Sequence, residues 1–322
     1  MFAIYAAGID RDDPLFVLGV GDLPEPATPD DWVTVRVKAG SLNHHDLWAL
    51  KGQALKAEQV PMILGTDAAG ITDAGREVIV HAVIGDAEAT EGDETLDPRR
   101  SLLSERYPGA LAEHVRVPAH NLIDKPAGLT FEEAACLPTA YLTAYRMIAT
   151  KSGTREGDTI LVQGAGGGVS TALIVLGKAM GRQVWVTSRD DDKLAWALEI
   201  GADGAFESGA RLPDKVDAVM ETVGEATWSH SMRSLRPGGT IVISGATSGP
   251  NPPADLNRLF FLQLNVVGST MGTIGEFRDM LDLLVRTGVR PVVDRVLPME
   301  NAAEAFAVMN AGDVRGKLVL TR

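Results

Sequence analysis

Thr-Ile-Leu-Val-Gln-Gly-Ala-Gly-Gly-Gly-Val-Ser, residues 159–170, is the stretch that decides the fold of this chain of 322 residues. Its apolar run, Ile160-Leu161-Val162, is too short for a helix, which favours a strand buried on both faces. The glycines that follow carry no Cβ, so they allow a sharp turn and a close approach of the backbone. They are Gly164, Gly166, Gly167 and Gly168. The stretch therefore predicts a strand followed by a glycine loop.

The residues after the loop predict a helix and a second strand. The helix is expected from Val169 to Met180, ended by Gly181, and the strand at Val184-Trp185-Val186. The positive end of such a helix favours an anionic group, so the loop amides and Val169 are candidates to bind a pyrophosphate. Together these elements indicate a nucleotide-binding β-α-β unit.

The end of the second strand indicates which nucleotide binds. When the cofactor is NAD, an acidic residue is expected about 20 residues after the first glycine. Ser188 and Arg189 stand there instead, and Lys193 follows one turn into the next helix. A hydroxyl and a guanidinium can bind a 2′-phosphate, so NADPH is favoured over NADH. The alternative for Arg189 is a solvated loop charge.

The composition excludes several classes of protein. A net charge of −13 and a pI near 4.9 argue against nucleic acid as a partner, because phosphate binding needs a basic face. The single cysteine, Cys136, excludes an intrachain disulfide and is expected to be a small buried residue. Since no signal segment and no membrane-spanning apolar run are seen, we expect a soluble, cytoplasmic protein with no membrane partner.

The first third of the chain has the pattern of short strands. Residues 32–37 and 113–117 alternate with period two, and residues 77–80 form a short apolar run. Between residues 85 and 108 the chain is polar and acidic without periodicity, which indicates a surface excursion. This part of the chain is therefore predicted to be mostly β.

The pattern changes at Thr130, where Thr130-Phe131-Glu132-Glu133 matches a capping box and opens a helical stretch. Strands and helices then alternate, which is typical of a doubly wound parallel sheet. The strands are expected near 159–163, 184–187, 216–220, 240–244 and 265–269. Because residues 317–320 predict a closing strand, we expect one domain from 1–125 plus 272–322 and a dinucleotide-binding domain at 126–271.

Several motifs, in order along essentially the whole chain, carry a resemblance to a known family. They are residues 40–48 (Gly-Ser-Leu-Asn-His-His-Asp-Leu-Trp), residues 61–70 (Pro-Met-Ile-Leu-Gly-Thr-Asp-Ala-Ala-Gly), Leu137-Pro138 with Thr143-Ala144-Tyr145, the Gly164 loop, and residues 316–320 (Gly-Lys-Leu-Val-Leu). With these motifs the chain resembles the zinc-free, quinone-oxidoreductase-like members of the medium-chain dehydrogenase/reductase superfamily. The resemblance implies an α/β fold in which a Rossmann doubly wound parallel sheet is inserted into a mostly β, GroES-like catalytic domain.

The resemblance also bears on metal binding. The family's alcohol dehydrogenases hold a catalytic zinc with cysteine, histidine and cysteine, and the corresponding positions are Asn43, Thr66 and Thr139. An amide and two hydroxyls are a poor ligand set for zinc. The neighbouring residues 44–46 (His-His-Asp) offer no other site, because adjacent side chains of an extended segment point to opposite faces. We therefore expect no zinc and no other metal.

Without zinc a carbonyl must be polarised by hydrogen bonds, which favours hydride transfer to a quinone or to the activated C=C bond of an enone. Asn43 is the first candidate to contact the acceptor, because its amide can donate to an oxygen. His44 or His45 is the candidate proton donor, and the sequence does not choose between them. The alternative for each histidine is a surface or core residue without chemistry, and Asp46 is expected to order the loop.

Further cofactor contacts are implied by the resemblance and by the ends of the predicted strands. Thr143 resembles a residue on the nicotinamide side of the family's cofactor site. The ends of parallel strands are the usual place for ligands, which adds Ser244-Gly245-Ala246 and Ser269-Thr270-Met271. Lys317 can reach the cofactor phosphates, and a solvated charge is the alternative.

Two other functions stay open at this point. One is a carbonyl reductase or alcohol dehydrogenase that acts without metal, and the other is a nucleotide-binding protein without catalysis. An enzyme of this kind would take a small-molecule substrate, whose identity the sequence does not specify.

Residues 265–268, the last strand of the predicted sheet, can pair with the same strand of a second copy across a twofold axis, so a homodimer is expected.

Overall fold

The structure, a computed structural model, describes all residues from Met1 to Arg322. The chain divides into two compact units. The first contains both chain ends and consists of Met1–Ala140, Thr273–Val285 and Arg290–Arg322. The second consists of Tyr141–Gly272 and Arg286–Val289.

The chain forms eighteen strands and nine α-helices. The strands are β1 (Phe2–Ala6), β2 (Leu18–Asp22), β3 (Val33–Ser41), β4 (Met62–Ile63), β5 (Asp67–Thr72), β6 (Glu77–Val80), β7 (Val83–Ile84), β8 (Ser101–Leu102), β9 (His114–Val117), β10 (Leu122–Asp124), β11 (Thr159–Gln163), β12 (Gln183–Ser188), β13 (Gly204–Glu207), β14 (Val216–Glu221), β15 (Leu235–Ile243), β16 (Asn265–Gly268), β17 (Val293–Pro298) and β18 (Lys317–Thr321). The helices are α1 (His44–Leu50), α2 (Phe131–Ala135), α3 (Leu142–Arg146), α4 (Gly168–Ala179), α5 (Asp191–Glu199), α6 (Glu225–Ser234), α7 (Leu256–Phe261), α8 (Ile274–Thr287) and α9 (Ala302–Ala311).

The second unit contains a six-stranded sheet in the order β13-β12-β11-β14-β15-β16, and every neighbouring pair is parallel. Its helices connect strands that run in the same direction, as parallel pairing requires. The central strands are apolar because both faces are covered, with Leu161, Val219 and Ile241 fully buried. The predicted α/β fold with a doubly wound parallel sheet is confirmed.

The first unit is built on a seven-stranded sheet that is mostly antiparallel. Six strands follow the order β10-β6-β5-β3-β18-β17, and β9 also pairs with β3. Its core is formed by fully buried side chains that include Leu50, Leu64, Leu111 and Phe306. The predicted capping box opens α2, where Thr130 Oγ1 accepts from Glu133 N–H at 3.2 Å and the Glu133 carboxylate accepts from Thr130 N–H at 2.9 Å. Helix α2 packs against β3 and β5, so the first unit extends past residue 125 to Ala140.

The acidic segment 85–108 is an ordered part of the first unit. The Glu94 carboxylate is buried and accepts from His81 Nε2 at 3.1 Å. The same Oε1 atom accepts from the Ile274 N–H at 2.6 Å, at the first residue of α8. Although burial raises the pKa of Glu94, these hydrogen bonds outweigh it and leave the pKa below its ordinary value. The segment is therefore fastened to the unit through a charged, buried side chain.

One local prediction is wrong. The segment His44-His45-Asp46 was expected to be extended, but it forms the first turn of α1. Asn43 precedes the helix in an extended conformation, and its N–H donates to the carboxylate of Asp46 at 2.8 Å. An acidic side chain in the first turn is favoured there by the helix dipole and by the unpaired backbone N–H groups. None of the nine α-helices is both long and apolar enough to cross a membrane.

Candidate active site

A cluster of polar side chains lies inside the first unit, where three strands run side by side. Ser41 ends β3 and faces Asp67 at the start of β5, and β18 pairs with the other edge of β3. This pairing brings Lys317, the first residue of β18, next to both. Ser41 and Asp67 are 0% exposed and Lys317 is 2% exposed. Buried charges of this kind need partners, because an isolated one would be strongly destabilising.

Lys317 finds its partners within this cluster. Its ammonium donates to the Leu42 carbonyl at 2.7 Å, to Asn43 Oδ1 at 2.6 Å and to Asp67 Oδ2 at 3.2 Å. An ammonium has three protons, so its donors are all used. In place of the contact with cofactor phosphates expected for it, Lys317 balances the charge of Asp67 inside the first unit.

The amide of Asn43 is held in one orientation. Its oxygen faces the Lys317 ammonium, and its nitrogen donates to Thr66 Oγ1 at 3.1 Å and to Asp67 Oδ2 at 2.8 Å. Both amide protons are therefore used inside the protein. The donation to an acceptor expected of Asn43 would require one of these bonds to break.

The hydroxyls of Thr66 and Thr139 continue the cluster. Thr66 is fully buried, and its Oγ1 lies 2.9 Å from Thr139 Oγ1. Thr139 belongs to a wide helical turn at Leu137–Tyr141 and is half-buried. Thr139 is thus the most exposed member of a row that begins at Lys317.

Asp46 fixes the loops around this cluster. Its two oxygens accept from the N–H groups of Asn43 at 2.8 Å and Gly65 at 3.0 Å, which joins the start of α1 to the residue before Thr66. Burial raises the pKa of Asp46 to about 6, although the hydrogen bond from Asn43 and the nearby charge of His45 act in the opposite direction. This geometry agrees with a role in ordering the loop.

The two histidines have different surroundings. His44 is exposed, and its ring packs edge-on against Trp48 with the ring centroids 6.0 Å apart. Desolvation of the ring lowers the pKa of His44, and the positive charges of Lys51 and Lys317 act in the same direction. His45 Nε2 lies 3.0 Å from Glu105 Oε1, and His45 Nδ1 is buried without a partner. His45 therefore has the carboxylate neighbour that a proton-transferring imidazole uses.

The second unit gathers most of the predicted cofactor residues at one edge of its sheet. Because all six strands are parallel, their carboxyl ends lie at the same edge, which is where ligands bind in such sheets. These ends carry Gly164, Gly166, Gly167, Gly168 and Val169 after β11, Ser188 and Arg189 after β12, Ser244, Gly245 and Ala246 after β15, and Ser269, Thr270 and Met271 after β16.

The glycine loop after β11 has the backbone conformation that glycine adopts readily, since Gly164 and Gly166 have φ values of +85° and +91°. Helix α4 starts at Gly168, one residue before the predicted start, and its first N–H groups are free for an anion.

The end of β12 carries both favourable and unfavourable charges for a phosphate. Ser188 Oγ accepts from the Asp190 N–H at 3.1 Å, which leaves its own proton for an outside acceptor, and Arg189 is exposed. Asp190 caps α5 by accepting from the Lys193 N–H at 3.1 Å. Asp190, Asp191 and Asp192 form an exposed acidic run, whose negative charges disfavour a phosphate at this place. Thr143 is buried in α3 of the same unit, with 6% of its surface exposed.

Sequence reasoning missed two residues of the first unit. Ser41 Oγ donates to Asp67 Oδ2 at 2.6 Å, and Glu105 pairs with His45. Burial raises the pKa of Glu105, but hydrogen bonds from His45 and the Leu102 N–H outweigh it, so the pKa lies below its ordinary value. Glu105 stands in the acidic segment with six other carboxylates, some exposed and some buried, and no local pattern distinguishes it from them.

The residues present do not fit a catalytic zinc ion. The three positions that correspond to the family's ligands hold an amide whose oxygen already accepts from an ammonium, and two hydroxyls. A second cation at this place would be repelled by the buried Lys317. No group of three or more His, Cys, Asp or Glu side chains comes together as a metal site elsewhere in the structure.

Comparison with known proteins agrees with the fold of both units. Residues 29–127 match the family model of the alcohol dehydrogenase GroES-like domain, and residues 168–286 match that of the zinc-binding dehydrogenase. A zinc-type alcohol dehydrogenase-like protein of Schizosaccharomyces pombe is 30% identical, over 93% of this chain and 93% of its own. The chain belongs to the medium-chain dehydrogenase/reductase superfamily. It is an NAD(P)-dependent oxidoreductase.

Two solved structures show how closely the fold is shared. An NAD-dependent alcohol dehydrogenase is 35% identical with a TM-score of 0.89, and the match covers 100% of both chains. A 2-octenoyl-CoA carboxylase reductase, in complex with NADP and 2-octenoyl-CoA, is 26% identical with a TM-score of 0.90. That match covers 99% of this chain and 87% of the other. Proteins with this architecture therefore include both an alcohol dehydrogenase and a 2-octenoyl-CoA carboxylase reductase.

Proposed function

We propose that the protein is a zinc-independent, NADPH-dependent reductase of conjugated carbonyl compounds, either enones or quinones. The observation that carries this proposal is the row of uncharged side chains, Asn43, Thr66 and Thr139, which is held beside the buried Lys317–Asp67 pair and ends at the half-buried Thr139 hydroxyl. In a conjugated acceptor, hydride addition at carbon moves negative charge to an oxygen some bonds away. Hydrogen-bond donors can stabilise that oxygen without a metal ion.

The second unit supplies the support for NADPH. When bound, NADPH provides the hydride. The N–H groups at the start of α4 would hold its pyrophosphate, and Ser188 and Arg189 would bind the 2′-phosphate. The complex of the 2-octenoyl-CoA carboxylase reductase with NADP supports this choice.

The acceptor class can be tested with purified protein. NADPH oxidation would be followed with 2-cyclohexen-1-one, 1,4-benzoquinone and cyclohexanone, with and without EDTA. We expect turnover of the enone or the quinone, little turnover of the saturated ketone, and no loss of rate with the chelator. Reduction of cyclohexanone alone would support the second candidate, a metal-free carbonyl reductase or alcohol dehydrogenase, which the similarity to an NAD-dependent alcohol dehydrogenase favours.

The cofactor preference has its own test in Arg189→Ala. Removing a charge-assisted hydrogen bond to the 2′-phosphate should raise the Kd for NADPH by roughly 10-fold or more and leave the Kd for NADH unchanged. Arg155→Ala is the matched control, because Arg155 is an exposed arginine just before β11, at the opposite edge of the same sheet. Equal affinities of wild type and Arg189→Ala for NADPH would contradict the assignment.

We also propose that two copies of the chain pair through β16. This strand is the last of the parallel sheet, and Val266 on it is 43% exposed. Phe260 and Phe261 of the preceding helix are 68% and 78% exposed, which is unusual for large apolar side chains. The expected mass in solution is twice 34.2 kDa. Val266→Asp should give monomers, whereas Val285→Asp, at an exposed valine of α8, should not.

A further inference from the structure

We propose that the Thr139 hydroxyl is the group that contacts the carbonyl oxygen of the acceptor, and that Lys317 sets the direction of the hydrogen-bonded chain ending at Thr139. This assignment rests on the proposed reduction of conjugated carbonyl compounds. It makes Thr139 a catalytic residue, and Lys317, Asn43 and Thr66 positioning residues.

The direction of the chain is fixed at its buried end. An ammonium only donates, so the atom of Asn43 that lies 2.6 Å from Lys317 Nζ must be the amide oxygen. The amide nitrogen then faces Thr66 and Asp67. The usual ambiguity between the oxygen and the nitrogen of an asparagine is therefore removed by chemistry.

The direction of the hydrogen bond between Thr66 and Thr139 is fixed by the other partner of Thr66. Its hydroxyl has two partners, Asn43 Nδ2 at 3.1 Å and Thr139 Oγ1 at 2.9 Å. The amide nitrogen donates, so Thr66 Oγ1 accepts from it. The Thr66 proton has one remaining acceptor, Thr139 Oγ1, because Thr66 is fully buried. Thr66 therefore donates to Thr139.

In this hydrogen-bonded chain, only Thr139 has a proton that is not already donated within the protein. Its oxygen accepts from Thr66, its own proton has no acceptor in the protein, and its side chain is half-buried rather than enclosed. Each donor upstream polarises the next bond, so the terminal O–H is a stronger donor than an isolated hydroxyl. The positive charge of Lys317, at the buried end of this row of hydrogen bonds, also makes the Thr139 O–H a stronger donor.

The reduction of an enone would begin with a hydride from bound NADPH, whose C–H bond breaks as it is oxidised to NADP⁺. The hydride forms a C–H bond at the β-carbon of the enone, the C=C electron pair shifts toward the carbonyl carbon, and the C=O π electron pair moves onto oxygen. The resulting enolate oxygen accepts the hydrogen bond from Thr139. A proton from solvent then forms the C–H bond at the α-carbon, which restores the carbonyl. Thr139 stabilises charge and keeps its proton.

The first test compares Thr139→Val with Thr139→Ser. Valine has the shape of threonine without the hydroxyl, so kcat with 2-cyclohexen-1-one or 1,4-benzoquinone should fall roughly 100-fold, as when one donor to a developing oxyanion is removed. Serine should keep kcat within a few-fold, and the Kd for NADPH and the Tm should change little in both variants. Thr28→Val is the matched control, since the Thr28 hydroxyl has no hydrogen-bond partner and lies in the same unit.

The outcomes separate the two proposals. If wild type reduces neither acceptor, the proposed function fails and this inference fails with it. If wild type reduces one of them and Thr139→Val does so at the same rate, only the role of Thr139 is overturned.

A second test addresses the role of Lys317. The double variant Lys317→Met, Asp67→Asn removes both buried charges together, which avoids leaving one uncompensated. We expect a fall in kcat of roughly 5- to 10-fold with unchanged NADPH binding. The infrared C=O stretch of bound 2-cyclohexen-1-one should move to higher frequency, as in Thr139→Val, because the hydrogen bond to the carbonyl is weaker. An unchanged frequency in both variants would overturn the assignment.

Discussion

The Nζ atom of Lys317 lies 2.6 Å from Oδ1 of Asn43, although 274 positions of sequence separate the two residues. They meet because β18, at the end of the chain, pairs with β3, which ends two residues before Asn43. The contact joins the closing strand to the loop that carries the candidate active site. It also places the Lys317 ammonium beside Asn43, one of the three positions that correspond to the family's zinc ligands.

The first prediction concerns the energy of the Lys317–Asp67 pair. Lys317→Met alone leaves the Asp67 carboxylate buried without its counter-charge and should lower the free energy of unfolding by about 3–5 kcal/mol. Asp67→Asn alone leaves a buried ammonium and should also be strongly destabilising. The double variant Lys317→Met, Asp67→Asn should lose much less free energy of unfolding than the sum of the two single variants. A double-mutant cycle measured by denaturant unfolding should therefore show a coupling energy of roughly 2 kcal/mol or more.

The ion pair of Arg76 and Asp124 is the control for that cycle. Its atoms approach to 2.7 Å, but both side chains are more than half exposed. Exposed pairs contribute about 0–1 kcal/mol, so the corresponding cycle should show little coupling. Equal coupling in the two pairs would mean that burial does not determine the strength of the Lys317 contact.

The second prediction concerns the pH dependence of stability through Asp46. Its pKa is about 6 in the folded protein against 3.8 for the unperturbed group. Between these values the folded state holds a proton that the unfolded state releases, so stability falls as pH rises from about 4 to 6. The two pKa values correspond to roughly 3 kcal/mol at most. Asp46→Asn cannot titrate, so the stability difference between wild type and this variant should shrink over that range.

The measurement for Asp46 is urea unfolding at several pH values from 3.5 to 7. Asp30→Asn replaces an exposed carboxylate and should follow wild type at every pH. A difference between wild type and Asp46→Asn that stays constant with pH would show that Asp46 does not titrate in this range.

The third prediction separates backbone strain from cofactor approach in the glycine loop. Gly164 has φ of +85°, so Gly164→Ala should lower stability by about 1–2 kcal/mol even without cofactor. Gly167 has φ of −68°, and a Cβ there would lie 3.6 Å from Ser170 Oγ, an ordinary contact. Gly167→Ala should therefore fold normally and yet bind NADPH more weakly, because the new methyl group obstructs the pyrophosphate.

Thermal unfolding without cofactor and fluorescence titration with NADPH distinguish these two effects. Unchanged NADPH affinity in Gly167→Ala would place the pyrophosphate away from this loop. A Tm for Gly164→Ala equal to that of wild type would show that the loop relaxes to accept a side chain.

Local sequence patterns predicted the second unit well. The strand at 159–163 was located correctly because an apolar run is bounded by a glycine loop, and the parallel order follows from alternating strands and helices. The capping box at Thr130 was also correct. These features depend on neighbours in sequence, where period and capping chemistry are visible.

The first unit was less predictable because its site depends on contacts between distant parts of the chain. The partners of Lys317 are set by the pairing of β18 with β3, and nothing near Lys317 in sequence indicates them. The helical start at His44 was missed because its first turn is capped through Asn43 and Asp46 rather than through the Ser or Thr and the Glu or Gln of the usual capping-box pattern. Glu105 was missed for the same reason as Lys317, since its contact with His45 spans 60 positions.

The last prediction concerns that contact between Glu105 and His45. The pKa of Glu105 lies below its ordinary value of 4.5, since hydrogen bonds from His45 and the Leu102 N–H outweigh the effect of burial. A lowered pKa of a carboxyl group stabilises the folded protein above the pKa of the unfolded state, and this stabilisation is lost as pH falls through the pKa of the folded state.

Because the Glu105 carboxylate is partly exposed, we expect Glu105→Gln to lower the free energy of unfolding by only about 1 kcal/mol at pH 7. The cost should shrink as pH falls below 4.5 and disappear once the folded-state carboxylate is protonated, whereas Glu58→Gln, at an exposed glutamate, should have no effect at any pH. Chemical unfolding at several pH values between 7 and 3 measures the difference, and a cost that does not fall with pH would mean that the charge of Glu105 is not what stabilises this contact.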